Sequence, residues 1–395
     1  MKISMLFKEE VRVLDENFTA GCERMFIYDL IFLNSKEYLK SVYTTAKNNL
    51  FSVNKKKLHT IPYPHDLIPF LYKIFRKFRI SKSVSDLVFR FTECVLQLYY
   101  TSIFLIKEFR SDLFYVYQVP LVGLFFPQKT VVAYHNFCPH LDFIFKLLFL
   151  VQKKASNIRF IFVSDSLCKH FFHEYPSLKR CRCHILYNAV DSVKFKQKQK
   201  ELKVISFVFL SSWIREKGIY LLPNIIRRIN KFHLNKVRFI IGGSSKLWSM
   251  ADWEYLAYNT IQNKIIKLEK EFANVKVIGN VNYELIPDIL GRSTYCLLPS
   301  VWAEPFSLLM VESLSCGTPV IAYRVGGNTE IIKNGKNGYL INEINYLSLF
   351  KLLNHIINNF SWNEYMKMSH NARLESEKYS LARRNKRLLV ILRGR

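Results

Sequence analysis

The chain has 395 residues, 50% hydrophobic and 15% aromatic, a composition that excludes disordered and fibrous proteins. At roughly 100–200 residues per domain, this length predicts two domains, each able to bury a hydrophobic core. The 58 Lys and Arg outnumber the 31 Asp and Glu, and the resulting charge of +27 favours an anionic partner: nucleic acid, a membrane surface or a phosphorylated substrate.

Candidate strands alternate along the chain with amphipathic stretches such as 220–232 and 305–315. This alternation predicts parallel α/β sheets with right-handed crossovers, and the polar stretch 194–203 predicts a linker between two α/β halves. We expect domains at 1–195 and 204–375 and a terminal helix within 376–395 that packs back on the first domain. The predicted strands, in chain order, are 1–7, 113–119, 130–135, 159–163, 184–187, 204–210, 238–241, 275–278, 295–298, 318–322 and 338–340.

Basic residues are concentrated in the first half of the chain. Residues 1–50 contain 7 basic and 7 acidic side chains, whereas residues 51–200 contain 24 basic and 9 acidic ones. Within that segment, residues 69–82 place Phe and Ile at helical spacing among Lys and Arg. Two interpretations stay open: a basic helix lying in a membrane interface, or a core-packed helix with a solvated basic face.

The start of the chain lacks the apolar core of a secretory signal, and the longest apolar stretch, 143–151, is interrupted by Lys146. It is far shorter than the roughly 20 residues of a membrane-spanning helix. We therefore expect a cytoplasmic protein, peripheral on the membrane at most, with reduced thiols. Its eight scattered cysteines are Cys22, Cys94, Cys138, Cys168, Cys181, Cys183, Cys296 and Cys316.

Glycine is concentrated in the second half, where 10 of the 13 glycines lie between Gly218 and Gly338. Tight turns and close approaches of the backbone to a ligand require glycine, so this half is expected to hold the main binding site. In open parallel sheets, ligands bind outside the carboxyl ends of the strands.

A pair of carboxylates follows a predicted strand in the most informative stretch, 297–321. Glu304 lies in a loop, Pro305 suits the first turn of a helix, and Glu312 would lie about two turns along it. The free N–H groups at the helix start are expected to face an anion. They are those of Phe306, Ser307 and Leu308.

The run 299–340 resembles the GT-B glycosyltransferases, in particular the retaining GT4 family of glycosyl group 1 transferases. Their pattern P-S-x-x-E-P-F-G-L-x-x-x-E-A-x-A-x-G-x-P-V-V, then G-G-x-x-E-x-I and G-x-x-G, is matched nearly throughout this run. The resemblance implies an α/β GT-B fold, with two Rossmann-like α/β/α domains facing each other across a cleft. It also implies transfer of a sugar from a nucleotide-sugar donor to a glycan or lipid-linked acceptor, without metal or other cofactor.

The same resemblance implies roles for individual residues. Lys217 would hold the donor diphosphate, Glu312 would accept hydrogen bonds from the ribose hydroxyls, and Glu304 and His135 would touch the transferred sugar. Lys217 and the helix start before Leu308 would stabilise the charge that grows on the leaving phosphate.

The sequence departs from the family pattern at three positions. Gly21 follows Ala20 where the first strand–helix loop of the family has two glycines. Ser212 occupies the position of the diphosphate-binding Arg, and Arg215 is the candidate replacement. Ser307 replaces the Gly after Glu-Pro-Phe, which is tolerable if its φ is negative.

Several other functions compete with this interpretation. A basic nucleic-acid-binding protein would explain the charge, but no RNP, zinc-finger or helix-turn-helix signature is present. A GT-B sugar-nucleotide epimerase would share the fold but lack the Glu-x7-Glu context. A hydrolase would need two carboxylates flanking one bond and has no use for phosphate-binding features.

A zinc site is a further alternative, because six possible ligands fall within 168–184. Their spacing lacks the paired arrangement of structural zinc sites, so buried cysteines are favoured. The six are Cys168, His170, His173, Cys181, Cys183 and His184.

Overall fold

The computed structural model describes residues 1–7, 21–44, 58–61, 82–119, 121–136, 157–179, 181–198, 200, 204–244 and 252–394. The chain divides into two compact units. Unit 1 comprises Met1–Leu186 and Asn385–Arg395, and unit 2 comprises Tyr187–Arg384. The basic segment 69–82, apart from its last residue, and the apolar stretch 143–151 lie outside the described residues.

Unit 1 contains a seven-stranded parallel sheet in the order β3-β2-β1-β4-β5-β6-β7. The direction of winding reverses between β1 and β4, as in a doubly wound Rossmann sheet. The strands are β1 (Ile3–Phe7), β2 (Leu39–Thr44), β3 (Leu58–Thr60), β4 (Leu113–Tyr117), β5 (Thr130–Tyr134), β6 (Arg159–Phe162) and β7 (Arg182–Ile185). The described helices are α1 (Gly21–Ser35), α2 (Lys82–Glu108), α3 (Leu121–Phe125) and α4 (Asp165–Glu174).

Unit 2 contains a six-stranded parallel sheet in the order β10-β9-β8-β11-β12-β13, which reverses between β8 and β11. The strands are β8 (Ile205–Leu210), β9 (Val237–Gly242), β10 (Val275–Gly279), β11 (Tyr295–Leu298), β12 (Val320–Tyr323) and β13 (Gly338–Ile341). The helices are α5 (Leu222–His233), α6 (Asp252–Glu271), α7 (Ile286–Arg292), α8 (Leu308–Ser315), α9 (Asn328–Ile331), α10 (Tyr346–Asn358) and α11 (Trp362–Ser376). A last helix, α12 (Leu381–Leu392), begins in unit 2 and ends in unit 1.

Each unit has its own core, and the central strands of each sheet are buried on both faces. In unit 2, Phe207 and Phe209 of β8 pack in one cluster with Ile225 of α5 and Leu353 of α10. The alternation of side chains along β8 directs both phenylalanines to the same face. In unit 1, Leu388 at the end of α12 belongs to the cluster that includes the strand residues Ile3 and Met5.

The expectation of two Rossmann-like α/β domains is confirmed, and all eleven predicted strands are present with small shifts at their ends. The sequence analysis missed β2 and β3. In β2, Lys40 and Ser41 interrupt the apolar run, yet Ser41 is buried because its hydroxyl hydrogen-bonds the Ser4 hydroxyl at 2.7 Å. Only three residues long, β3 lies in a polar part of the chain.

The unit boundary falls between Leu186 and Tyr187, ahead of the predicted linker at 194–203. Described residues of that stretch pack on unit 2. Lys198 forms an ion pair with Asp288, and Lys200 is buried, donating from Nζ to the Ser293 carbonyl oxygen at 2.9 Å.

Burial lowers the pKa of Lys200 from its ordinary 10.5 to about 7. The unfolded chain therefore binds one more proton than the folded chain between about pH 7 and 10, so this group makes the free energy of unfolding rise with pH in that window. The slope is at most about 1.4 kcal/mol per pH unit. The Lys200→Met variant should lack this contribution to the pH dependence. The difference in the free energy of unfolding between the wild type and the variant, measured by urea denaturation, should therefore grow from pH 7 to 10. A loss that is constant over this range would contradict the assignment.

Candidate active site

Two candidate site residues of unit 2, Lys217 and Glu304, lie at the point where its strand order reverses. Lys217 follows β8 and Glu304 follows β11, the two strands between which the winding changes direction. The carboxyl ends of strands at such a point form a crevice, because successive crossovers leave in opposite directions. The fold therefore brings together two residues that are 87 positions apart in the chain.

Lys217 and Glu304 form a direct ion pair. The Lys217 Nζ atom donates to Glu304 Oε1 at 2.7 Å, with side-chain exposures of 19% and 15%. Ser300 Oγ donates to Glu304 Oε2 at 3.1 Å, and the Lys217 Nζ atom lies 5.8 Å from the centre of the Trp302 ring. In this partly shielded site, the ammonium can bind an anionic group and the carboxylate can accept hydrogen bonds from hydroxyl groups.

Gly218 determines how Lys217 is presented. Residues Arg215–Lys217 form a 3₁₀ turn that ends at Gly218, whose φ is +74°. A Cβ atom at this position would lie 2.0 Å from the Pro299 carbonyl oxygen. Only glycine allows the two loops to approach this closely.

Two further glycines support the loop that carries Glu304. Gly327 N–H donates to the Glu304 carbonyl oxygen at 2.9 Å. A Cβ atom on Gly326 would lie 2.3 Å from that oxygen, and one on Gly327 would lie 2.2 Å from the Pro305 carbonyl oxygen. The Gly-Gly pair thus packs directly against the backbone of the Glu304 loop.

The structure corrects the predicted start of the helix after Glu304. The prediction that Pro305 lies in its first turn is wrong, because α8 begins at Leu308 and Ser307 is its N-cap residue. Residues 305 and 306 belong to the loop, which the Gly327 contact holds outside the helix, and Phe306 packs at 5.9 Å from the Tyr187 ring. Glu312 therefore lies about one turn into the helix.

The start of α8 carries backbone N–H groups that have no partner within the helix. The Ser307 side chain forms no capping hydrogen bond, and its φ of −89° meets the condition for replacing glycine. The N–H groups of the first turn begin at Leu308 and provide partial positive charge. Phe306 and Ser307 contribute the residues immediately before that turn.

Glu312 is buried, with 3% of its surface exposed. Tyr283 donates its hydroxyl to Glu312 Oε1 at 3.1 Å. The helix ends in a Schellman motif, in which Gly317 N–H donates to the Leu314 carbonyl and Thr318 N–H to the Ser313 carbonyl, both at 2.9 Å. Gly317 has a φ of +65°, the left-handed conformation that this motif requires.

A half-buried serine, Ser212, stands where the family pattern has an arginine. Ser212 lies between the end of β8 and the 3₁₀ turn, and Arg215 is the exposed first residue of that turn. The Arg215 guanidinium lies 5.5 Å from the centre of the Tyr220 ring. Arg215 is thus two residues before Lys217, on the same turn.

The two remaining candidates belong to unit 1. His135 directly follows β5, is buried and stacks on the Tyr117 ring at 5.2 Å. Tyr117 in turn donates its hydroxyl to the buried Asp29. Gly21 begins α1, so residues 21–24 form the first helical turn rather than the predicted loop, and Glu23 suits the positive end of that helix.

The structure provides no support for a metal site at 168–184. Among the described residues, no group of three or more His, Cys, Asp or Glu is arranged to hold a metal ion. Cys168 and Cys181 are buried while Cys183 is exposed. Burial raises the pKa of Cys168 to about 12, which disfavours the thiolate that binds metals.

Sequence reasoning missed Tyr283 and Ser300 as partners of the two glutamates. Tyr283 belongs to a separate 3₁₀ turn after β10, and no spacing in the chain connects it to Glu312. Ser300 had a usable signal, because it lies four residues before Glu304 in the same loop.

The match to a protein family lies in unit 2. Residues 191–375 match the family profile described as glycosyl transferases group 1. An uncharacterized glycosyltransferase of Methanocaldococcus jannaschii is 27% identical over 152 residues, which are 38% of this chain and 38% of the relative. The gpi3 subunit of phosphatidylinositol N-acetylglucosaminyltransferase from Schizosaccharomyces pombe is 25% identical over 185 residues, which are 46% of this chain and 38% of the relative.

The fold likeness extends over the whole chain. The crystal structure of Anabaena HepE in complex with UDP superposes with a TM-score of 0.70 and 17% identity, covering 100% of both chains. The matches to the curated relatives span less than half of those proteins, whereas this structural match includes both units. The chain thus has the GT-B fold, and residues 191–375 within it match the glycosyl transferases group 1 profile.

Proposed function

We propose that the protein is a retaining glycosyltransferase that moves a sugar from a nucleotide-sugar donor to a glycan or lipid-linked acceptor. The observation that carries the proposal is the Lys217–Glu304 pair at the reversal point of the unit 2 sheet, within the matched residues 191–375. The UDP complex of HepE supports a nucleotide as part of the donor.

The chemistry requires positive charge where the donor diphosphate leaves. The anomeric C–O bond breaks as negative charge grows on the phosphate oxygen, so donors held ready at that place lower the barrier. Lys217 supplies an ammonium, and the first turn of α8 supplies N–H groups with the positive end of the helix dipole. Together they deliver the charge stabilisation that a metal ion provides in other transferases, so we propose a metal-independent reaction.

The sugar-side roles follow from the family resemblance. We assign Glu304 and His135 to contacts with the transferred sugar, and Glu304 is oriented by its hydrogen bonds from Lys217 and Ser300. Retention of configuration would arise by front-face attack assisted by the leaving phosphate, without a protein nucleophile. Glycosyl transfer of this kind needs the acceptor hydroxyl to approach on the face from which the phosphate leaves.

A lipid-linked acceptor has support from one relative and from the sequence. The similar region of the S. pombe protein belongs to a phosphatidylinositol N-acetylglucosaminyltransferase subunit. The basic, Phe-containing segment 69–82 is our proposed membrane contact, on sequence grounds alone. None of the described helices has the length and apolar character needed to cross a bilayer.

Glu312→Gln tests the donor site through the ribose contact. The buried carboxylate accepts from Tyr283 and, in this proposal, from the ribose hydroxyls; the amide loses the charge and part of the acceptor capacity. We expect KM for the nucleotide-sugar to rise by a factor of about 10 to 150, because a charge-assisted hydrogen bond contributes roughly 1.5–3 kcal/mol. The measurement is steady-state release of nucleotide with the preferred UDP-, GDP- or ADP-sugar.

The matched control for this variant is Glu377→Gln, which makes the same change at an exposed position of unit 2. Its KM and kcat should equal those of the wild type. Transfer by Glu312→Gln that is unchanged with every donor would overturn the proposed donor site.

A further inference from the structure

A polar cavity lies in unit 1, at the amino ends of its strands. Its volume is about 660 Å³, and its lining includes Arg159, Arg182 and Arg393. Arg159 and Arg182 are the first residues of β6 and β7, and Arg393 follows α12. Ligands of doubly wound sheets bind at the carboxyl ends of the strands, so this edge has no part in the proposed sugar transfer.

The fold places two of these arginines side by side. Arg159 and Arg182 are direct partners in the parallel pairing of β6 with β7. Like charges on directly paired strand positions repel each other, so the arrangement is unfavourable unless something compensates for it. The charge of this arginine pair must therefore be balanced by other groups.

The contacts of Arg159 use neutral oxygen atoms. Its Nη1 atom donates to the carbonyl oxygens of Ile391 at 2.6 Å and Leu392 at 3.2 Å, which terminate α12. These carbonyls carry the negative end of the helix dipole and accept from Arg159, a residue that is only 8% exposed. Burial, together with Arg182, lowers the pKa of Arg159. The half-charge of a helix end leaves part of the positive charge uncompensated.

The other two arginines are exposed, and no ion pair with an acidic side chain is present for either among the described residues. Within the described part of the chain, Arg182 has no ion pair, and Arg393 donates to the Tyr38 hydroxyl at 2.7 Å. Asp112 also lines the cavity, but it accepts from the Lys2 backbone N–H at 2.7 Å. Among the described lining residues, the cavity thus presents three guanidinium groups and one carboxylate, which already accepts a hydrogen bond.

We propose that this cavity binds the phosphate group of a phosphorylated ligand, with Arg182 and Arg393 as its direct contacts and Arg159 as the buried charge behind them. Guanidinium groups bind phosphate oxygens through paired N–H donors. Two sources carry this chemistry: a soluble phosphorylated compound and the headgroup of an anionic lipid.

The first experiment measures binding of inorganic pyrophosphate by calorimetry at constant ionic strength. Lys217→Gln serves as the background, because it removes the ammonium of the proposed donor site in unit 2. In that background pyrophosphate should still bind, and adding Arg182→Gln and Arg393→Gln should weaken binding tenfold or more. Both arginines are exposed, so the replacements leave the core and the Arg159 contacts intact.

The matched control is Arg383→Gln, an exposed arginine at the start of α12 that does not line the cavity. It removes one positive charge and should leave pyrophosphate affinity unchanged. Equal weakening by the control and by Arg182→Gln would assign the effect to net charge and overturn the proposal. If Lys217→Gln alone abolishes pyrophosphate binding, the binding site lies in unit 2, and this result would also overturn the proposal.

The second experiment separates the two sources of phosphate. Flotation compares vesicles of phosphatidylglycerol in phosphatidylcholine with vesicles of phosphatidylcholine alone. Loss of flotation in the double arginine variant, but not in Arg383→Gln, assigns the cavity to lipid headgroups. Unchanged flotation with weakened pyrophosphate binding assigns it to a soluble ligand, and no change in either measurement overturns the proposal. Sugar transfer is not part of either readout, so failure here leaves the proposed function standing.

Discussion

Replacement of Lys217 by glutamine is expected to lower turnover of the nucleotide-sugar by a factor of about 100 to 1,000, the range for loss of one preorganised charge-stabilising donor. Lys217 Nζ is held at 2.7 Å from Glu304 Oε1 in a partly shielded site, so its charge is poorly replaced by water. The ammonium matters most as the diphosphate leaves, and kcat should therefore fall along with kcat/KM.

The Lys217 prediction is checked by single-turnover and steady-state nucleotide release. Lys351→Gln, an exposed lysine on α10, makes the same charge change away from the reversal point and should behave as the wild type. A Lys217→Gln enzyme with wild-type kcat would mean that this ammonium does not face the leaving group.

Gly218→Ala is expected to lower the free energy of unfolding by about 3 kcal/mol, the sum of left-handed strain and overpacking. Its φ is +74°, and the new Cβ atom would lie 2.0 Å from the Pro299 carbonyl oxygen. The backbone must move to relieve this contact. Since Lys217 directly precedes Gly218 and Pro299 begins the loop to Glu304, the Lys217–Glu304 pair should be disturbed as well.

Gly279→Ala is the matched control for Gly218→Ala. Gly279 has a φ of +60°, but nothing lies within 4 Å of a Cβ atom built there. Gly279→Ala should therefore lower the free energy of unfolding by only about 1 kcal/mol, the cost of a left-handed backbone conformation for alanine relative to glycine. The measurement is guanidinium denaturation of both variants, and equal losses would show that the approach of Pro299 has no energetic consequence.

Much of the fold could be predicted from the sequence because its strands are short apolar runs between longer helical patterns. The two strands that were missed show the limit of that signal. In β2, a buried Ser41 is satisfied by Ser4, a partner 37 positions away, so its burial cannot be read from local hydrophobicity. Lys200 likewise appears in a polar stretch, yet it is buried against the Ser293 carbonyl oxygen of a later loop.

In the candidate site, too, the sequence predicted the types of residue but not all of their geometry. The motif around Glu304 predicted which residue types lie together, and the reversal between β8 and β11 brings Lys217 to them. The start of α8 could not be predicted, because it depends on the hydrogen bond from Gly327 N–H to the Glu304 carbonyl oxygen. Pro305 suits a first helical turn as well as a loop, so its identity alone does not decide between them.

The central claim, that residues 191–375 bind and use a nucleotide-sugar, is tested most directly by one panel experiment. The full chain is incubated with UDP-, GDP- and ADP-sugars, and nucleotide release is scored by mass spectrometry for the wild type and Lys217→Gln. We expect release from a restricted set of donors by the wild type and its loss in the variant. Absence of release from every donor, together with steeply salt-dependent binding to duplex nucleic acid, would contradict the claim and favour a basic nucleic-acid-binding protein.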